Sequence, residues 1–219
     1  MLDKAKLKQL QGTFLIQYPQ GFDDPQMQVI TKKHPIAKMT DFAHQHFSPS
    51  ASGNVHLCAQ NMQKIISRSS MISMFEKPKF KSLINVLNEY DKAYLVDSLL
   101  EYLHGNQQRG FEGMMQILAM ENLAKWSLLT IIPAYFSPQD EVFIKPTTVK
   151  NILKHFEITD ITYKPTPSWE FYTRYRDLIN EAKAQVHPSL SPNNPAFCGF
   201  LMMTTKETAN KSQMFPVDN

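Results

Sequence analysis

Apolar residues along this chain recur at intervals of three and four, the spacing that lines one face of an α-helix. Leu7, Leu10, Phe14 and Leu15 make the first stripe, closed by Pro19 and Gly21. Asp23 or Asp24 before Pro25 predicts an N-cap with proline in the first turn of a short helix through Met27 and Ile30. Further stripes follow at Ile36–Phe47, at Val55, Cys58, Met62, Ile65 and Ile66, and at Phe80, Leu83, Ile84 and Leu87. Leu95, Leu99, Tyr102 and Leu103 continue the series, with Gly105-Asn106 as a stop, and Phe111, Met114, Met115 and Leu118 come next. From Leu123 to Tyr135 the chain is apolar nearly all round, which predicts a central, buried helix.

Beyond Tyr135 the pattern changes. Val142-Phe143-Ile144 and Ile161-Thr162-Tyr163 are β-prone triplets flanking a helical stripe of Val149, Ile152, Leu153 and Phe156 that opens at Pro146. They predict at most a small two-stranded β element near residues 142–163, a rudimentary winged-helix unit. Pro165 and Pro167 force an extended link, and Ser168 caps a long helix through Tyr172, Tyr175, Leu178, Ile179, Ala182 and Val186. A last helix covers Phe197 to Met202, and residues 204–219 read as a polar, disordered tail. Ser48 to Asn54 is the clearest loop and the natural boundary. The expected organisation is an N-terminal helical subdomain over 1–50, a main helical domain over 51–203 and the tail. The fold class is mainly α, a multi-helix globular domain.

Composition sharpens this. The 219 residues include 7 glycines against 14 prolines, where roughly 7% glycine is usual. A β-sandwich, a Rossmann domain or a P-loop needs glycine where φ is positive, and neither Gly-x-Gly-x-x-Gly nor a Walker loop is present. No cofactor is expected, and a site, where there is one, is built from side chains. Cys58 and Cys198 cannot form a disulfide framework and read as reduced thiols on apolar faces. With no apolar signal core and no long apolar run, the expected setting is the cytoplasm.

Enzyme chemistry finds little footing. His34, His44, His46 and His56 crowd the first quarter, yet none stands in a paired metal-ligand motif. Asp23-Asp24 and Asp140-Glu141 are acidic pairs near lysines, the ingredients of a metal-dependent hydrolase. Capping before Pro25 already accounts for the first pair. Such an enzyme is the alternative reading.

Charge points elsewhere. The formal net charge is +3, and the excess of basic residues collects in the first 38 residues and in 145–187. Lys150 and Lys154 are four apart on one helix face, with Lys145, Lys164, Arg174 and Arg176 close in sequence and Trp169, Tyr172 and Tyr175 interleaved. Basic and aromatic residues together grip phosphates and stack bases. The leading expectation is therefore a non-enzymatic binding protein that contacts nucleic acid or a protein partner through 145–176. The predicted contacts are Lys145, Lys150, Lys154, Lys164, Trp169, Arg174 and Arg176. Twelve methionines allow a homo-oligomeric scaffold as a further reading.

The strings Trp126-Ser-Leu-Leu-Thr130, Val142-Phe-Ile-Lys-Pro-Thr-Thr-Val-Lys150 and Tyr163-Lys-Pro-Thr-Pro-Ser-Trp169-Glu-Phe-Tyr172 resemble a C-terminal segment of uncharacterised bacterial proteins, some from restriction or phage-defence contexts. The likeness covers about residues 123–203 and carries no catalytic residues. It implies a bacterial, cytoplasmic protein with a nucleic-acid connection.

Overall fold

The computed structural model describes residues 2–50 and 53–214, with side chains through Thr205. The described residues are mainly helical: α1 (Lys4–Gln17), α2 (Gln28–Lys33), α3 (Ile36–Phe47), α4 (Val55–Arg68), α5 (Glu76–Val86), α6 (Glu89–His104), α7 (Gln107–Met120), α8 (Trp126–Phe136), α9 (Pro146–His155), α10 (Trp169–Lys183) and α11 (Asn194–Met214). Short 3-10 turns cover Gly21–Asp23, Pro25–Met27 and Pro188–Leu190.

The all-apolar stretch is the central helix its pattern predicts. Every residue of α8 from Leu128 to Tyr135 is buried, and α3, α4, α6 and α7 pack around it. It starts at Trp126 rather than Leu123 because Lys125 takes an extended backbone as its N-cap. A second group forms around α11, which packs on α1, α9 and α10. Leu7, Phe14, Met39 and Phe47 of the first fifty residues lie in the same continuous core as Ile131 and Phe200.

The two-stranded β element is not formed. No strand occurs among the described residues, and the triplets at 142–144 and 161–163 are unpaired links. The hydrogen bonds explain why. The Val142 amide donates to the Tyr172 hydroxyl at 3.3 Å and the Ile144 amide to Thr130 Oγ1 at 3.0 Å. Side chains from two helices take the donors that a strand partner would take. Val142 and Ile144 are fully buried, so their β-branched character reflects packing rather than pairing. The chain end also differs from the expected polar tail. α11 runs through Thr204 and Thr205, both buried, and their hydroxyls turn back to the Phe200 and Leu201 carbonyls at 2.9 and 2.6 Å. Residues 215–219 of that expected tail lie outside the described residues.

The few glycines are explained by what replaces them. Helices α7 and α9 both end with a residue in the left-handed region, Asn122 and Glu157, each at φ 55°. In both, the next amide reaches back to the carbonyl five residues earlier: Leu123 to Leu118 at 2.8 Å and Ile158 to Leu153 at 2.9 Å. This is the Schellman ending, usually made with glycine. The N-termini are capped by short polar side chains. Asp3, Asn54, Asn88, Asn106 and Ser168 each accept a first-turn amide.

Two glycines are needed for packing. Gly110, which reads in sequence as a turn, lies inside α7 against α6. A Cβ there would sit 2.2 Å from the Tyr102 amide nitrogen and 2.6 Å from the Ser98 carbonyl oxygen. At Gly113 it would sit 2.3 Å from Ser98 Oγ. The two helices therefore pack backbone to backbone.

Candidate functional site

Helix α9 and the start of α10 carry the residues singled out by charge, and the fold divides them into three groups. The first is structural. Arg176 is half-buried, and its Nη1 lies 2.8 Å from Glu141 Oε1 and 2.9 Å from Gln107 Oε1. Gln107 donates to the same Glu141 oxygen at 3.0 Å. The Tyr172 hydroxyl donates a short hydrogen bond to Glu141 Oε2. The guanidinium sits 5.8 Å from the Trp169 ring centroid and 5.6 Å from that of Tyr172. Burial opposes the charge on Arg176, but Glu141 and the nearby hydroxyls outweigh it and raise its pKa above the ordinary value. Burial, then the Glu141 carboxylate, push the Tyr172 hydroxyl well up, so it stays a neutral donor. Trp169 packs among Tyr102, Phe111 and Tyr172. Tyr102, Phe111 and Tyr172 are fully buried, and Trp169 is half-buried with its ring packed against them. Arg174, on the exposed side of α10, pairs with Asp160 at 3.1 Å.

The second group is a lysine face. Lys150 and Lys154 share one side of α9, and both are exposed. Lys150 Nζ lies 5.3 Å from the Tyr163 ring centroid, which sets the segment carrying Lys164 beside the same face. Lys164 uses its backbone carbonyl to accept the Trp126 indole N–H at 2.8 Å, leaving its own side chain exposed. Among the described residues, no carboxylate pairs with any of these three lysines.

The third group is a pocket. Lys145 caps the other end of α9 and borders a cavity of about 210 Å³ enclosed by α2, the start of α9 and α11. Its walls are largely apolar, with Phe22, Ile30, Met71, Phe143, Met202 and Met203 among them. Sequence reasoning found only Lys145 here, because the walls come from segments about 180 residues apart.

The other chemical candidates disperse. His34 is at the pocket, with Nδ1 2.7 Å from Ser70 Oγ. His44 donates to the Phe136 carbonyl at 2.6 Å, His46 lies on the Phe42 ring at 4.3 Å, and His56 meets Glu89 at 2.9 Å. Asp24 caps the Pro25 turn, and Glu141 is committed to Arg176. Among the described residues, no group of three or more His, Cys, Asp or Glu could hold a metal ion. The metal-dependent alternative therefore finds no ligand set.

Both cysteines are held as thiols. Burial, then Asp97, raises the Cys58 pKa to about 11. Burial raises Cys198 to about 12, with Lys183 opposing, and this half-buried residue also borders the pocket. A thiol whose folded pKa is raised stabilises the fold fully below its unfolded pKa and loses that contribution as pH climbs toward the folded value. Stability should therefore decline between about pH 9 and about 11, and Cys58→Ser should flatten that decline. Denaturant midpoints measured across this range test it, and equal slopes for both proteins would refute it.

Among the described residues, no helix is long and apolar enough to cross a membrane. Compared with known proteins, the chain matches no family model, no curated protein and no solved structure.

Proposed function

We propose that the protein is a non-enzymatic binding protein that grips the phosphate backbone of a nucleic acid through Lys150, Lys154 and Lys164. One observation carries this reading. Each arginine of the region is tied to a carboxylate, whereas, among the described residues, these three lysines stand exposed with no carboxylate partner, Lys150 and Lys154 on one side of α9. Unpaired ammonium groups displace condensed counterions from a polyanion, which supplies affinity without reading sequence. With Tyr172 and Tyr175 committed to the core and Trp169 packed half-buried against Tyr172, the contact is mainly electrostatic. The resemblance of residues 123–203 to proteins of restriction and phage-defence contexts points the same way, and the proposal includes the bacterial, cytoplasmic setting that this resemblance implies.

Fluorescence polarisation with labelled DNA and RNA over a salt series tests this. Each phosphate contact contributes about 0.7–0.9 to the slope of log affinity against log salt. Three lysines therefore give a slope of roughly −2 to −3, and Lys150→Glu with Lys154→Glu removes most of it. Absence of binding at low salt overturns the reading, as does an unchanged slope in the double variant. Loss of an acidic protein partner in that variant, with no nucleic-acid binding by the wild type, would transfer the face to a protein.

A further inference from the structure

The pocket beside Lys145 is separate from the lysine face and carries its own chemistry. Its volume, about 210 Å³, exceeds the ~150 Å³ apolar cavity that takes up a benzene ring. Phe22, Met71, Phe143, Met202 and Met203 give it apolar, adaptable walls. Cys198 and Gly199 complete one side, and a Cβ on Gly199 would still stand 3.8 Å from the Phe22 ring.

Polar groups gather around Lys145. Its ammonium is exposed and has no carboxylate partner among the described residues. It lies close enough to His34 to help lower that imidazole's pKa, after burial and Lys33. His34 is therefore predominantly neutral near pH 7 and presents a polar edge with Ser70. Thr148, one turn along α9 from Lys145, also borders the pocket. It is 7% exposed, and its hydroxyl has no hydrogen-bond partner among the described residues. The Lys145 side chain makes no cap to α9, and with Pro146 lacking an N–H and the Val149 amide bonded to the Lys145 carbonyl, the Thr147 and Thr148 amides are the ones left to face an anion. Among the described residues, no Asp or Glu lines the cavity.

We propose that this pocket binds a single-chain amphiphile with a carboxylate head, a medium-chain fatty carboxylate. The head lies against Lys145 and Thr148 at the start of α9, and the tail runs between Phe22 and the α11 pair Met202 and Met203. The cavity is too small for a two-chain lipid and too apolar for a sugar or nucleotide.

Calorimetric titration of the full chain with decanoate tests this, with acetate and decyltrimethylammonium as comparisons. The expected result is saturable one-to-one binding of decanoate, none of acetate, and at least tenfold weaker binding of the cation. Lys145→Glu should weaken decanoate at least tenfold. Gly199→Leu, which fills the pocket, should abolish binding, with circular dichroism confirming its fold. Lys150→Glu with Lys154→Glu should leave decanoate binding unchanged, so failure of the nucleic-acid reading and failure of this one are distinguishable. Equal binding of decanoate and the cation overturns the proposal, as does no saturable binding or full affinity in Lys145→Glu. The three wild-type titrations decide the matter even where a variant does not fold.

Discussion

Arg176→Met should cost the fold roughly 3–5 kcal/mol, because it leaves Glu141 buried with its charge uncompensated. Glu141 has a side chain only 7% exposed and 2.8 Å from the guanidinium it would lose. Gln107 and Tyr172 still donate to it, but neither carries a charge. For a domain of this size the loss appears as a fall of about 6–20 °C in Tm. The double variant Arg176→Met, Glu141→Leu should recover most of the stability, since replacing a whole buried pair with apolar side chains is often close to neutral. Thermal unfolding of the two singles and the double closes the cycle. Should Arg176→Met match the wild type, the pair is ornamental and the region's arginine is free for a partner.

Gly110→Ala should destabilise by about 3 kcal/mol, at the upper end of overpacking costs. The new methyl meets the α6 backbone at 2.2 Å, and a backbone cannot rotate aside as a side chain can. The helices must separate, thinning contacts that include Tyr102 against Phe111. Gly113→Ala should cost less, since its neighbour is the Ser98 hydroxyl at 2.3 Å, and Ser98→Ala should relieve part of that cost. Chemical denaturation of the four proteins gives the comparison. A Gly110→Ala midpoint within error of wild type would mean that α6 and α7 slide apart freely.

The chemistry of 145–176 was half legible. Opposite charges close in sequence show where arginine and lysine are, but not which have partners. Arg176 finds Glu141 and Gln107 across 35 and 69 residues of chain, separations that no local pattern reports. Trp169, Tyr172 and Tyr175 look like an aromatic ladder in sequence, but in the fold the two tyrosines are core and Trp169 packs half-buried against Tyr172. The helical spacing that set them beside basic residues also turns them inward, and burial decides between the two readings. Lys150 and Lys154 kept their predicted position because an i, i+4 pair on an amphipathic helix is fixed locally. The pocket could not be read at all. Its walls join residues near 22–36, 70, 143–148 and 195–203, and only Lys145 among the predicted contacts reaches it.

Local physics thus determined the elements. Periodicity placed the helices, short polar residues capped them, and an all-apolar run marked the centre. The small glycine count argued against loop-built cofactor sites, and it agrees with helix ends made by Asn122 and Glu157. Only the tertiary structure decided what the remaining polar groups do. The amides of Val142 and Ile144 went to side chains on α10 and α8 instead of a second strand. Two glycines became a helix contact, and one arginine became part of the core. The division follows from range. Helix propensity and capping act within a few residues, whereas a hydrogen-bond partner, a counter-charge or a cavity wall is supplied by whichever segment the packed core brings alongside.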